Sequence, residues 1–122
     1  MSYNFYRILH LFSVFGVMLS LGGMAIYVAS GGTRASFTSR KFVSIIHGIG
    51  LFFIVVGGFG LLARLGLTQS LPGWILAKLC IWLILGGLPT LIYKKPQFAR
   101  PIFILIWVLG GVAATLALTK PF

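Results

Sequence analysis

The chain has 122 residues, with ten Lys plus Arg, two His, one Cys, and no Asp or Glu. Apolar residues make up 59% and charged residues 8%, where a soluble domain carries about a quarter charged. This balance excludes a water-soluble globule. The missing carboxylates exclude carboxylate acid/base pairs, Ser-His-Asp triads, carboxylate metal cages and Asp/Glu proton relays.

Charge spacing sets the elements. A helix needs about 20 mainly apolar residues to cross ~30 Å of hydrocarbon. Between Arg7 and Arg34 lie 26 uncharged residues, which predicts a first span over about 4–30. It is too long, and its flanks too weakly basic, for a cleaved signal peptide. Ser30-Gly31-Gly32-Thr33-Arg34 breaks it. Lys41 and Arg64 enclose 22 uncharged residues, predicting a second span over about 40–64. Pro72 opens a third, about 72–93, where its missing N–H is harmless. Only Lys78 interrupts it, and Pro89 after Gly86-Gly87 predicts a bend. Pro96 and Pro101 bracket a short turn, and the 19 uncharged residues between Arg100 and Lys120 give a fourth span over about 101–118. Lone strands cannot cross lipid, and no alternating barrel pattern appears. The expectation is an all-α membrane protein, a single domain over 1–122 with four transmembrane helices in an antiparallel up-down bundle.

The basic residues stand singly or in pairs, which suits lipid headgroups and not nucleic acid. Arg34, Arg40, Lys41, Lys94, Lys95 and Arg100 fall on one side, against Arg7, Arg64, Lys78 and Lys120 on the other. That excess places loops 31–39 and 94–100 in the cytoplasm and both termini outside, across a bacterial inner (plasma) membrane. Cys80, inside an apolar run, reads as a small buried packing residue.

Helix association in lipid relies on close backbone approach at small residues. One stripe runs through Tyr6, His10, Ser13, Gly16, Ser20, Gly23 and Tyr27, and a second through Ser44, His47, Gly50, Ile54, Gly57 and Gly60. Trp74, Lys78, Trp82, Gly86 and Pro89 mark the third helix; Trp107, Gly110 and Ala114 mark the fourth. The expected packing positions are Ser13, Gly16, Ser20, Gly23, Gly50, Gly57, Gly60, Gly86 and Gly110.

Ionisable side chains within a span are costly, and each is a functional candidate. His10, His47 and Lys78 qualify. Each also has a plain role: His10 as an imidazole bonded to a carbonyl or to Ser13, His47 as an interhelical hydrogen bond, and Lys78 as a snorkelling cation. The sharper reading is a tetrapyrrole site, with His10 and His47 as candidate haem-iron ligands and Lys78 as a cofactor-binding cation. In antiparallel helices the two imidazoles fall ~20 Å apart in depth, so one iron cannot take both. His10 and Lys78 share a depth, where they can hold an anionic headgroup, a quinone carbonyl or a porphyrin propionate.

Three features together, Tyr6-Arg7-Ile8-Leu9-His10, His47-Gly48, and Trp74 with Lys78-Leu79, resemble small bacterial four-helix membrane proteins of the CopD-type and SirB-like kind. The resemblance spans nearly the whole chain and implies a haem- or copper-associated membrane protein. Extended Met and His copper motifs have no counterpart, since Met18 and Met24 stand singly. The composition is met most simply by an accessory or structural subunit. Such a protein would dock through Gly/Ser faces onto other membrane subunits or a second copy, and needs no cofactor. The alternative is a haem-binding, cytochrome-like protein using His10 or His47. An enzyme is least favoured, because only His10, His47, Lys78 and the tyrosines could act as acid or base.

Overall fold

A segment crossing lipid must satisfy its own backbone polar groups, and a helix does so within itself. The computed structural model describes residues 2–66 and 69–120. Its helices are α1 (Tyr3–Ala29), α2 (Arg40–Leu65), α3 (Gly73–Lys94) and α4 (Ala99–Thr119), with a 3-10 turn at Pro96–Phe98. All four are long and apolar enough to cross a membrane, and no strand occurs among the described residues. The fold is an all-α four-helix bundle, and it fits a multi-pass membrane protein.

Local chemistry sets the helix ends. Ser2 Oγ accepts from the Phe5 N–H at 3.1 Å, capping α1. At its other end Gly31 takes φ 98°, its N–H donates to Val28 O, and the Gly32 N–H donates to Tyr27 O. That pairing closes the helix on its own last carbonyls. The Tyr27 ring lies over Gly32, where no Cβ has room. The ring also stacks on Phe37 at 4.2 Å, and its hydroxyl shares a 2.7 Å hydrogen bond with Ser36. The 30–39 loop is therefore tightly built. Pro101, expected to open the fourth span, sits in the first turn of α4, which begins two residues earlier at Ala99. Its missing N–H is one of the donors a helix start leaves unpaired anyway. α3 continues past Pro89 to Lys94.

α1 touches every other helix, and its interface with α2 is the most extensive in the bundle. Glycine makes that interface close. A Cβ at Gly57 would lie 2.9 Å from the His10 backbone N, one at Gly50 would lie 2.7 Å from Val17 Cγ2, and Gly60 is pressed against the Tyr6 ring. Ser13 is buried in the same seam, and Gly110 of α4 leaves 2.7 Å for the Met18 methyl. Other stripe positions do different work. Gly16 and Gly86 make ordinary contacts with Ile46 and Leu51, and the Ser20 hydroxyl donates to Val17 O within its own helix. Gly23 has nothing within 4 Å of a Cβ. A stripe stepping by threes and fours drifts around a straight helix by about 20° per seven residues, so by Gly23 the contact face has moved to Met24, Ala25 and Val28.

Two expectations are overturned. Cys80 is exposed, pointing away from the bundle toward what would be lipid, so it is not a buried packing residue. On α4, Trp107 is 72% exposed and faces outward; the buried residues are Ala99, Ile102 and Ile106.

The core is lopsided. Met24, Ala25, Ile92 and Ala99 are fully enclosed at the end that carries the 30–39 loop and the Pro96–Phe98 turn. Toward the end that holds Ser2 and Lys120, α4 has no buried residue after Ile106. A small cluster of Leu62, Trp74 and Ile75 closes only part of that half. α2 and α3 meet sparsely, and α2 and α4 make no contact among the described residues.

Candidate functional site

The unfilled half of the bundle is a cleft of about 590 Å³, lined by all four helices. Most of its wall is aliphatic: Val14, Met18, Ile54, Leu62, Leu85 and Leu109 among others. Small residues on α4, Gly110, Ala113, Ala114 and Ala117, make its width. Its volume lies within the ~300–1,000 Å³ range of cofactor and ligand pockets. Leu11 and Leu118 line it while remaining 45% and 80% exposed. The cleft is therefore open to the surroundings at residues of its rim, Phe59 and Leu65 of α2 among them.

Four basic side chains enter this apolar space: His10, Lys78, Arg7 and Lys120. α1 delivers Arg7 and His10 one turn apart. α3 delivers Lys78 one turn beyond Trp74, and Lys120 lies with Nζ 5.8 Å from the Trp74 ring centre. Lys120 reaches that ring from a left-handed cap of α4, φ 47°, the one non-glycine residue at positive φ among those described. Lys78 sits close enough to His10 for the two to interact electrostatically.

The His10 ring is fixed. Its Nδ1 lies 2.9 Å from Ile54 O of α2. A carbonyl only accepts, so Nδ1 carries the proton and donates. Gly58 lies beside the ring, where a Cβ would sit 3.4 Å from its Cε1. Nε2 is thus left unprotonated, with no hydrogen-bond partner among the described residues, on the ring edge away from that bond. An imidazole whose Nδ1–H is held by a carbonyl and whose Nε2 lone pair is free has the tautomer and support typical of a metal-ligating histidine.

His47 is placed differently. It is 7% exposed, its Nε2 donates to Leu85 O at 3.0 Å, and it does not line the cleft. Across the same seam the Trp82 indole N–H donates to Leu51 O at 3.0 Å. These two bonds tie the thin α2–α3 contact: Pro89 has no N–H to give Leu85 O, so His47 fills an acceptor that α3 leaves open, while Trp82 meets the second lone pair of Leu51 O. The structure thus brings His10 and Lys78 together and keeps His47 apart as a structural tie.

Arg7, Trp74 and Lys120 complete the site, although the sequence reading singled out none of them as a binding residue. Arg7 was legible as the residue one turn before His10. Lys120 was not, because only the left-handed cap turns it back over the bundle end. No group of three or more His, Cys, Asp or Glu forms a metal cluster among the described residues; the donor set here is one imidazole with cations around it. No family model, curated protein or solved structure matches the chain.

Proposed function

We propose that this is a haem-binding, cytochrome-like membrane protein whose cleft would hold the cofactor, with the His10 imidazole as the group that would ligate its iron. The observation that carries the reading is the His10 imidazole, anchored through Nδ1–H to Ile54 O with its Nε2 free beside Lys78 in the cleft. The residues fit the group. Aliphatic walls suit a macrocycle, and Arg7, Lys78 and Lys120 suit its propionates. His10 supplies the lone pair and the Ile54 carbonyl raises its basicity. Lys78, held at membrane depth in a chain without Asp or Glu, gains a counter-charge. Haem, when bound, supplies one-electron chemistry at iron. His47 takes no part in binding. The orientation with loops 31–39 and 94–100 in the cytoplasm puts the cleft near the outer face of a bacterial inner membrane, and kinship with the CopD-type and SirB-like proteins belongs to the same proposal.

The test is an absorption spectrum of protein purified in mild detergent from cells supplied with haem, before and after dithionite. A Soret band that shifts on reduction, vanishes in His10→Ala and persists in His47→Ala supports the reading. A colourless wild type refutes it.

A second reading, an accessory subunit or self-associating bundle, is supported by glycines the fold leaves unused. Gly23, Gly48, Gly87 and Gly111 have nothing within 4 Å of a Cβ, and such sites permit close approach of another helix. Migration on native gels well above one 13.3 kDa chain plus its micelle supports it; a strict monomer counts against it.

A further inference from the structure

We infer that the cleft selects its occupant by that molecule's acid groups, so that it takes a dicarboxylate amphiphile whether or not a metal is present. The inference rests on the proposed tetrapyrrole site but concerns what the rest of the cleft recognises. One imidazole can serve a metal. Three cations can serve acids, and they outnumber it at the same end of the cleft.

Their placement is specific. Lys78 lies one turn beyond Trp74, over which Lys120 sits at 5.8 Å, and Arg7 lies one turn before His10, which interacts with Lys78. Arg7, Lys78 and Lys120 therefore line one cleft whose walls are otherwise mostly aliphatic. No Asp or Glu exists anywhere in the chain to neutralise them. Lys78 is half-buried, where an uncompensated cation is expensive and an incoming carboxylate removes that cost, while Arg7 and Lys120 are exposed and offer charge without it. Arg7 offers a planar fork suited to a carboxylate, while the lysines act as point charges. The cleft can take an amphiphile with its acid groups at Arg7, Lys78 and Lys120 and its ring system among Val14, Leu109 and Ala113. Because Nε2 of His10 is an acceptor in the resting tautomer, it does not itself attract acid groups. Metal ligation and acid recognition are thus carried by different residues and can be separated.

The experiment uses the full chain in lipid nanodiscs and three probes: metal-free protoporphyrin IX, its dimethyl ester, and ferric haem. Porphyrin fluorescence reads the first two and Soret absorbance the third. The free acid is expected to bind wild type at least about tenfold more tightly than the diester. Lys78→Gln and Arg7→Gln each weaken free-acid binding about tenfold, His47→Ala leaves it within about twofold, and His10→Ala weakens haem binding more than free-acid binding. Equal binding of free acid and diester overturns the inference, as does free-acid binding that Lys78→Gln and Arg7→Gln leave unchanged. Haem binding indifferent to His10, alongside intact discrimination between acid and ester, overturns the axial-ligand reading and leaves this one standing. Circular dichroism confirms that each variant is folded. If Lys78→Gln is not, Arg7→Gln carries the same test from another helix.

Discussion

The two ends of this bundle are built from one apolar alphabet and reach opposite results. At the 30–39 loop end, Tyr27 and Phe37 stack, Gly31 and Gly32 close α1, and Met24, Ile92 and Ala99 are fully enclosed. At the other end the helices part: small residues Gly110, Ala113, Ala114 and Ala117 give the α4 wall its width, and the space left is a cleft bearing cations. In water such a void would be filled or collapse. In lipid, apolar burial gives little net drive between helices, so packing can be concentrated at one end while the other stays open. The tight end fixes the scaffold, and the loose end holds the site.

Substitutions sharpen this contrast, beginning with the largest effect. Met24→Ala, at 0% exposure in the closed half, is expected to cost about 2–5 kcal/mol. Leu118→Ala, 80% exposed at the cleft edge, should stay within about 0.5 kcal/mol. Equilibrium unfolding in mixed micelles measures both, and equal losses would erase the distinction between the ends. Gly57→Val comes next. Its side chain meets the His10 backbone, which cannot yield as a flexible side chain does, so a loss of about 1–3 kcal/mol is expected, while Gly23→Val leaves packing within the chain intact. Ala117→Leu, filling the cleft from α4, should leave unfolding unchanged and weaken haem binding about tenfold, or ~1.4 kcal/mol. Smallest are His47→Ala and Trp82→Phe. Each removes one bond across the α2–α3 seam, at about 0.6–1.7 kcal/mol, and His47→Ala leaves cleft affinity unaltered because His47, unlike Trp82, does not line the cleft.

Charge spacing made four helices legible, with ends within a residue or two, because lipid penalises every ion and unpaired amide between them. The α1–α2 seam was legible too: Gly50, Gly57 and Gly60 meet Val17, His10 and Tyr6, and no larger residue fits there. What periodicity could not reveal was asymmetry. Gly23 and Trp107 satisfy the pattern and face outward, since a stripe drifts along a straight helix and does not record where two helices separate. His10 and His47 look equivalent in sequence. They differ because Ile54 O binds one through Nδ1 at the cleft and Leu85 O binds the other through Nε2 in a closed seam.

That difference is measured most directly by resonance Raman spectra of the ferrous, haem-loaded protein. An iron–imidazole stretch is predicted in the wild type and in His47→Ala, and its loss in His10→Ala. A band that survives His10→Ala and disappears in His47→Ala would contradict the placement of the site in the open half.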